Sequence, residues 1–386
     1  TWDAPDIAFS LLGSKDDPAT INNVLHQVAT DVRANSIMSG VLNPSRFLFP
    51  RIGWGNGQME SGERGRIDWN INRERSVMNQ FSQFRGQVPQ RLRKGSLWFD
   101  YIGHSISSPS DGNSGAYRTY INGGLLGGEW NLTQHSAFGL VMGYGNGATN
   151  SGDDKVRMND YFMGIYFVAS PFNQYEFKAY VGLGRQEYTM FHTIYNSTLK
   201  DSNTGQVIGI LDRYYGRTDG TTINTSYELS RPVMITDRFI LRPTVGIDSQ
   251  YAWQGGFTEE ALSTTSNGLY LLSFDGMYLN HNMVRLGINS ESIGPRGSLW
   301  LRGFYNFNFG GHGYPTSRAR FVNGGDKFDV RGADIGWDAI NLGIGFHLWL
   351  NAEHSSSFIF DYNTDLFIGN SGASSHGLRV GVLRHF

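Results

Sequence analysis

The side chains able to do chemistry are few and scattered. Ten histidines are present and cysteine is absent. Zero cysteine removes disulfide frameworks, thiolate metal sites and thiol nucleophiles together. His281, His347 and His385 stand out because each falls on the polar face of an alternating segment, but their spacing offers no metal site. Asp153-Asp154 and Asp326 to Asp329 are acidic enough to attract calcium, although a solvated loop accounts for them. Gly143-Tyr-Gly145-Asn-Gly147 resembles a phosphate loop only superficially, since it follows a strand with alternating glycines and opens no helix. The chain has no Gly-x-Ser-x-Gly elbow, His-Glu-x-x-His pair or P-loop. The expectation is therefore no catalytic residue, no cofactor and no metal.

Polar residues that build no reaction centre can still line a channel. The chain of 386 residues has 50 glycines, 14% aromatic and only 17% charged residues. Its net charge of -2 gives no nucleic-acid signal. No stretch approaches the roughly 18 consecutive apolar residues of a membrane-spanning helix. From Lys94 onward, however, twelve alternating segments of about nine or more residues follow one another, the length a tilted strand needs to cross a bilayer. They lie near 95–104, 117–131, 136–146, 156–169, 174–191, 221–231, 238–253, 276–290, 297–309, 337–351, 354–368 and 375–386.

Two of these segments show the pattern most plainly. In 341–350, Leu342, Ile344, Phe346, Leu348 and Leu350 alternate with Asn341, Gly343, Gly345, His347 and Trp349. In 238–251, Phe239, Leu241, Val245, Ile247 and Tyr251 alternate with Arg242, Thr244, Gly246, Asp248 and Gln250. A bilayer outside and a wet lumen inside ask for this pattern, and a soluble sandwich would give it too. Connections separate the two cases. Short turns at 131–135, 170–174, 231–237, 293–296 and 351–353 all fall at one end, and long loops near 192–220, 254–274 and 310–336 at the other. That is the asymmetry of an outer-membrane barrel. Trp98, Trp130, Tyr144, Tyr161, Tyr188, Tyr251, Trp253, Trp300 and Phe386 lie toward strand ends, as aromatic girdles would. The expected fold is an all-β, twelve-stranded, antiparallel up-and-down barrel in the bacterial outer membrane. Its C-terminus would be periplasmic and its long loops extracellular. Arg242, Asp248, Arg285, Arg302, His347 and Arg379 are the expected lumen-lining residues.

Residues 1–94 read differently. Asp17-Pro18 is a helix start, and Ile21, Leu25, Val28 and Val32 recur at helical spacing, predicting a helix over about 18–39 that sits in or under the lumen. A second helix is expected over 71–85. Residues 64–94 carry eight basic side chains, among them Arg64, Arg91 and Lys94, against Asp68 and Glu74. As a solvated linker this needs no explanation. As a plug it would pair with lumen carboxylates such as Asp100, Asp248 or Asp361. No export signal is visible at Thr1, so the expectation is that one was removed or that the chain belongs to a longer one.

Three local patterns, in order and at the right spacing, carry a resemblance. They are Gly95-Ser-Leu-Trp-Phe-Asp-Tyr101, then Leu241-Arg-Pro-Thr-Val-Gly-Ile-Asp-Ser-Gln-Tyr251 continuing to Gly256-Phe-Thr-Glu-Glu260, and finally the alternation through Leu378, Val380 and Val382 to a terminal Phe386. Residues 95–386 resemble the translocator β-domain of type Va autotransporters. The resemblance implies an outer-membrane translocator and anchor that exports or displays an N-terminal passenger, with the linker left in the pore. It implies that Leu378, Val380, Val382 and Phe386 are read by the barrel-assembly machinery. The partners it implies are outer-membrane lipids with lipopolysaccharide, that machinery and the passenger, with a monomeric barrel. Arg384 departs from the pattern, since an apolar residue usually stands third from the end. Residues 1–94 are also too short and too irregular for a solenoid passenger. Some autotransporters cleave an Asn-Asn bond inside the pore. Asn22-Asn23 lies some seventy residues before the first strand, so that bond is expected to stay intact. The alternative functions are a passenger-less, gated porin-like channel and an adhesin or scaffold acting through its long loops.

Overall fold

In the computed structural model the described residues are 95–110, 115–133, 136–169, 175–196, 210–262, 271–310, 315–332, 338–352, 354–368 and 372–386. The predicted helices, with Ile21, Leu25, Val28 and Val32, lie outside them. The strands in chain order are β1 (Gly95–Ser108), β2 (Tyr117–Thr133), β3 (Ser136–Ser151), β4 (Asp154–Ala169), β5 (Glu176–Asn196) and β6 (Ile210–Ser230), followed by the short β7 (Val233–Thr236). Next are β8 (Phe239–Gln254), the short β9 (Phe257–Thr258), β10 (Glu260–Ala261) and β11 (Leu272–Phe274), then β12 (Met277–Gly294) and β13 (Gly297–Gly310). The short β14 (Thr316–Phe321) and β15 (Phe328–Arg331) precede β16 (Asp338–Trp349), β17 (Ser356–Ile368) and β18 (Ser374–His385).

Twelve of these strands pair antiparallel with their neighbours in the order β1 to β6, β8, β12, β13, β16, β17, β18 and back to β1. The closing seam runs from Ser96 opposite His385 to Ser107 opposite Ser374. Closure leaves the barrel no unpaired edge, which a sheet in hydrocarbon cannot have.

Exposure alternates along most of each barrel strand, with breaks where small residues such as Gly127, Gly128 and Ala148 are covered by their neighbours. On β1, Leu97, Phe99 and Tyr101 are exposed, while Trp98, Asp100 and Ile102 are buried. Leu140 and Met142 on β3, Met163 and Ile165 on β4, Leu286 and Ile288 on β12, and Leu342 and Ile344 on β16 continue the exposed apolar face around the ring. In water so wide an apolar surface would aggregate, but against lipid it is the stable arrangement.

Two expectations need correcting. The sequence pattern predicts a loop over about 192–220, yet β5 and β6 run on as a paired ladder from Phe191 opposite Tyr215 to Asn196 opposite Ile210. These extensions carry Arg213, Tyr215, Arg217 and Asp219 outward, so they lack the apolar lipid-facing side that marks a spanning strand. Of the nine aromatics assigned to girdles, Trp98, Tyr188 and Trp300 are 3%, 2% and 1% exposed and point inward. Their positions have the parity of the inner face, which distance from a strand end does not reveal.

The long loops are not simply loops. β9, β11, β14 and β15 form a second, four-stranded sheet. Its buried residues Leu272, Phe274, Ala319, Phe321 and Val330 pack with Ile194 and Tyr214, the inward-facing residues of the β5–β6 extension. The sheet therefore folds over the inner side of that extension, as a cap at the barrel's long-loop end.

Candidate functional site: the barrel lumen

The inner wall has two halves of different chemistry. Inward residues of β1 to β5 form one apolar cluster, Trp98, Ile102, Ile121, Leu125, Val141, Val156, Met158, Phe162, Tyr166, Val168, Tyr180, Tyr188 and Met190, joined by Leu383 of β18; the polar Asp100, Glu129 and the Asp160–Gln186 pair are buried among them. Glycines make room for the aromatic rings. A Cβ on Gly127 would lie 2.1 Å from the Trp98 ring, one on Gly139 2.0 Å from Tyr166, and one on Gly143 2.2 Å from Phe162. Trp98 Nε1 donates to the Tyr166 hydroxyl at 3.3 Å, tying β1 to β4 across the wall. The glycine run 143–147 is thus part of β3 and seats an aromatic ring, consistent with the rejection of a phosphate loop.

The facing half, β6 through β17 with the start of β5, is held by ion pairs. Lys178 Nζ donates to Glu228 Oε1 at 2.9 Å. Arg285 reaches Glu228 at 3.7 Å and touches Asp248 at 2.7 Å, and Ser226 donates to the same Asp248. Arg242 bridges Glu291 at 2.9 Å and Glu176 at 3.8 Å. Asp361 accepts from Arg302 Nη2 at 2.6 Å and from Trp300 Nε1 at 2.9 Å. Such charges tolerate burial because each meets its opposite. Apolar side chains occur here too: Trp300 and Phe304 are buried, and Ala252 of β8 with Met277 and Leu279 of β12 packs with Ile106, Tyr117 and Ala373 in a smaller cluster at the long-loop end.

The expected lumen residues all sit on this inner face: Arg242, Asp248, Arg302, His347 and Arg379 are buried, and Arg285 is nearly so. Under the plug reading of the basic linker, Asp100, Asp248 or Asp361 would pair with it; Asp248 and Asp361 each already hold a wall arginine. Lys178, Glu228, Glu176 and Glu291 were not anticipated. Their parity matches that of their inward neighbours, which was the available signal, although nothing in one strand names its partner in the next. At the C-terminus, Val382 and Phe386 are exposed on the outer face with Leu378 and Val380 beside them, and Arg384 shares that face.

The other polar candidates do not converge. His281, His347 and His385 lie on β12, β16 and β18, and among the described residues no three His, Asp or Glu side chains gather as a metal cluster would. Asp154 accepts from Thr193 N at 2.9 Å, and Asp329 pairs with Arg318 at 3.2 Å.

The comparisons with known proteins agree with this architecture. The autotransporter beta-domain family model matches residues 97–363. Among solved structures, the chain is similar to the translocator domain of the autotransporter NalP from Neisseria meningitidis, at 10% identity and a TM-score of 0.58, covering 82% of this chain and 94% of that one. It is also similar to the transport unit of AIDA-I from Escherichia coli, at 16% identity and a TM-score of 0.46, covering 81% and 97%. A comparison with curated protein sequences finds no match. A closed twelve-stranded barrel, an apolar outer face and a family model spanning most of the strands lead to one assignment: the chain belongs to the autotransporter beta-domain family.

Proposed function

We propose that this outer-membrane translocator barrel exports or displays an N-terminal passenger and then keeps its linker in the pore. The C-terminus and the short turns face the periplasm, and the β5–β6 extension with its cap faces outward. Leu378, Val380, Val382 and Phe386 are the strand the assembly machinery reads. The two-faced inner wall carries the pore reading. A helix over 18–39 sets Ile21, Leu25, Val28 and Val32 along one side and leaves Asn22, Gln27, Asp31 and Arg33 elsewhere on its circumference, and an apolar half facing a charged half is the wall that such a helix fits.

Planar-bilayer conductance of the full chain and of a chain lacking residues 1–94 tests this. A small conductance that rises severalfold on deletion supports a linker in the pore. Steady, equal conductance from both refutes it and favours an open channel. Leu25→Asp in the full chain should raise the frequency of open events, because a carboxylate on the helix's apolar side is costly to bury against an apolar wall.

A further inference from the structure

The outer surface has an asymmetry of its own. In β8, β12 and β13 the arginines Arg242, Arg285 and Arg302 all turn inward, and β16 and β17 contain no Lys or Arg, so these five strands present no cation outward; the exposed cations of this arc sit on its connections, where Arg318 and Lys327 of the cap pair with Asp329 and Asp275. The arc β2 to β6 differs. Arg118, Lys155, Arg157, Arg213 and Arg217 all project outward near its long-loop end.

The ladder gathers them. One row runs Arg118, Asn150, Lys155, Phe191, Tyr215 across β2 to β6, and the next row down runs Tyr120, Ala148, Arg157, Thr189, Arg217. Arg213 follows one row above, opposite Thr193. Arg157 lies over the Phe191 ring at 5.3 Å and Arg217 over Tyr215 at 5.9 Å, which holds the guanidinium planes against the wall. Among the described residues none of the five cations has a carboxylate within 4.0 Å. The nearby Asp219 is engaged by Arg185 at 2.9 Å, and Glu260 accepts from the Tyr215 hydroxyl at 2.6 Å. Asp154 accepts a backbone N–H, leaving Asp153 and Glu187 as the neighbouring acids. A cavity of about 530 Å³ opens beside the patch, lined by Lys155, Arg157 and Arg213 with the carboxylate of Asp153, and by Phe191, His192, Thr193, Tyr214 and Leu262; Arg118 and Arg217 lie outside it.

Height supplies the second observation. Going up β4, the outward residues are Phe167, Ile165, Met163 and Tyr161, then Asn159, Arg157 and Lys155. Tyr161 meets Tyr144 with the rings tilted at 48° and their centres 5.2 Å apart, at the upper limit of the apolar band. Arg157 is four residues beyond Tyr161, about 13 Å along a tilted strand and so about 10 Å higher. Arginine side chains reaching down from there meet the headgroup layer, where guanidinium binds phosphate oxygens bidentately.

We propose that Arg118, Lys155, Arg157, Arg213 and Arg217 form a binding site for the phosphates of a phosphorylated glycolipid of the outer leaflet. This rests on the orientation proposed above, with the β5–β6 extension outermost. The cavity accepts the sugar that bears the phosphate, and the acyl chains lie along Met163, Ile165 and Leu183 below. The site marks one side of the barrel as its lipid-binding side.

Native mass spectrometry of the purified full chain, titrated with bis-phosphorylated lipid A, with its dephosphorylated form and with inorganic phosphate, tests the site. The phosphorylated lipid should bind at least about tenfold more tightly than the dephosphorylated one. The fivefold variant Arg118→Gln, Lys155→Gln, Arg157→Gln, Arg213→Gln, Arg217→Gln should lose that preference. The corresponding variant with lysine at the four arginine positions should retain most of it, and Arg296→Gln with Arg384→Gln, at the opposite rim, should leave it unchanged. Equal binding of the two lipids by the unmodified chain would overturn the proposal whether or not the glutamine variant folds. Displacement of the lipid by inorganic phosphate at equal concentration would overturn the glycolipid assignment. Orientation is read separately from Ser151→Cys in this cysteine-free chain. Labelling by an impermeant maleimide on intact cells supports it, and labelling only after lysis overturns the orientation while leaving the binding result to stand on the purified protein.

Discussion

Gly95 and Phe386 hydrogen-bond to each other in both directions, Gly95 N to Phe386 O at 3.3 Å and Phe386 N to Gly95 O at 3.0 Å. The first and last residues of the barrel thus complete its seam at the rim, while the Phe386 side chain remains 55% exposed on the outside. Deleting Phe386 removes two rim hydrogen bonds, each contributing about 1 kcal/mol, and no buried side chain. A refolded barrel should therefore keep a denaturation midpoint close to that of the intact chain. Outer-membrane levels in cells should fall sharply if the terminal strand is the assembly signal. Equal levels would count against that role.

Arg302 and Asp361 are buried partners on β13 and β17, strands that do not pair with each other but flank β16. Asp361→Ala would strand the Arg302 charge in the wall and remove the Trp300 hydrogen-bond acceptor. The expected cost is about 3–5 kcal/mol, read from denaturant unfolding of the refolded barrel. Replacing both partners together, Arg302→Met with Asp361→Leu, should cost less than Asp361→Ala alone, because the Arg302 charge is no longer left in the wall; the part of the loss that persists is that of the buried Arg379, which faces Asp361 from β18.

Gly139 faces the Tyr166 ring so closely that a methyl group cannot fit without moving the ring. Gly139→Ala should displace Tyr166, lengthen its bond to Trp98 and destabilise the barrel by about 1–3 kcal/mol. Tyr166→Ala in the same chain should relieve the clash, so the double variant should be less destabilised than the sum of the two single changes. Additive losses would mean that ring and glycine are not coupled.

The cap has an acid-sensitive contact. Lys327 Nζ donates to Asp275 Oδ2 at 2.6 Å, and this hydrogen bond and charge hold the Asp275 carboxyl below its ordinary value. A depressed folded-state pKa means that the contact contributes fully above the unfolded carboxylate value of about 3.9. The contribution is lost as pH falls through the folded value. Amide-exchange protection of Leu272 to Phe274 should therefore be flat from neutral pH down to about pH 4 and drop below it. Both groups are exposed, so the effect is small, and Lys327→Gln should abolish the step. A step unchanged in that variant would assign the acid sensitivity elsewhere.

How much was legible beforehand differs from element to element. Twelve spanning strands, their order and their faces follow from period-two alternation and from the single arrangement in which short turns share one end. The upper halves of β5 and β6 were not legible, because above the bilayer nothing requires an apolar outer side and the alternation fades into polar residues. Trp98, Tyr188 and Trp300 misled for a related reason: a girdle and a lumen aromatic both sit near strand ends, and only parity separates them.

What the amino-acid order determined alone is which residues share a face, since that depends only on the geometry of one extended strand. It placed Arg242, Asp248, Arg302 and Arg379 on the inner side and Leu378, Val382 and Phe386 on the outer. Pairing between strands was beyond its reach. That Asp361 belongs to Arg302, that an apolar half of the wall faces a charged one, and that five outward cations on β2 to β6 share one patch all depend on ring closure and on the stagger of neighbouring strands. Register is set by the packing of every ring and glycine around the barrel at once, so it exists only in the closed structure.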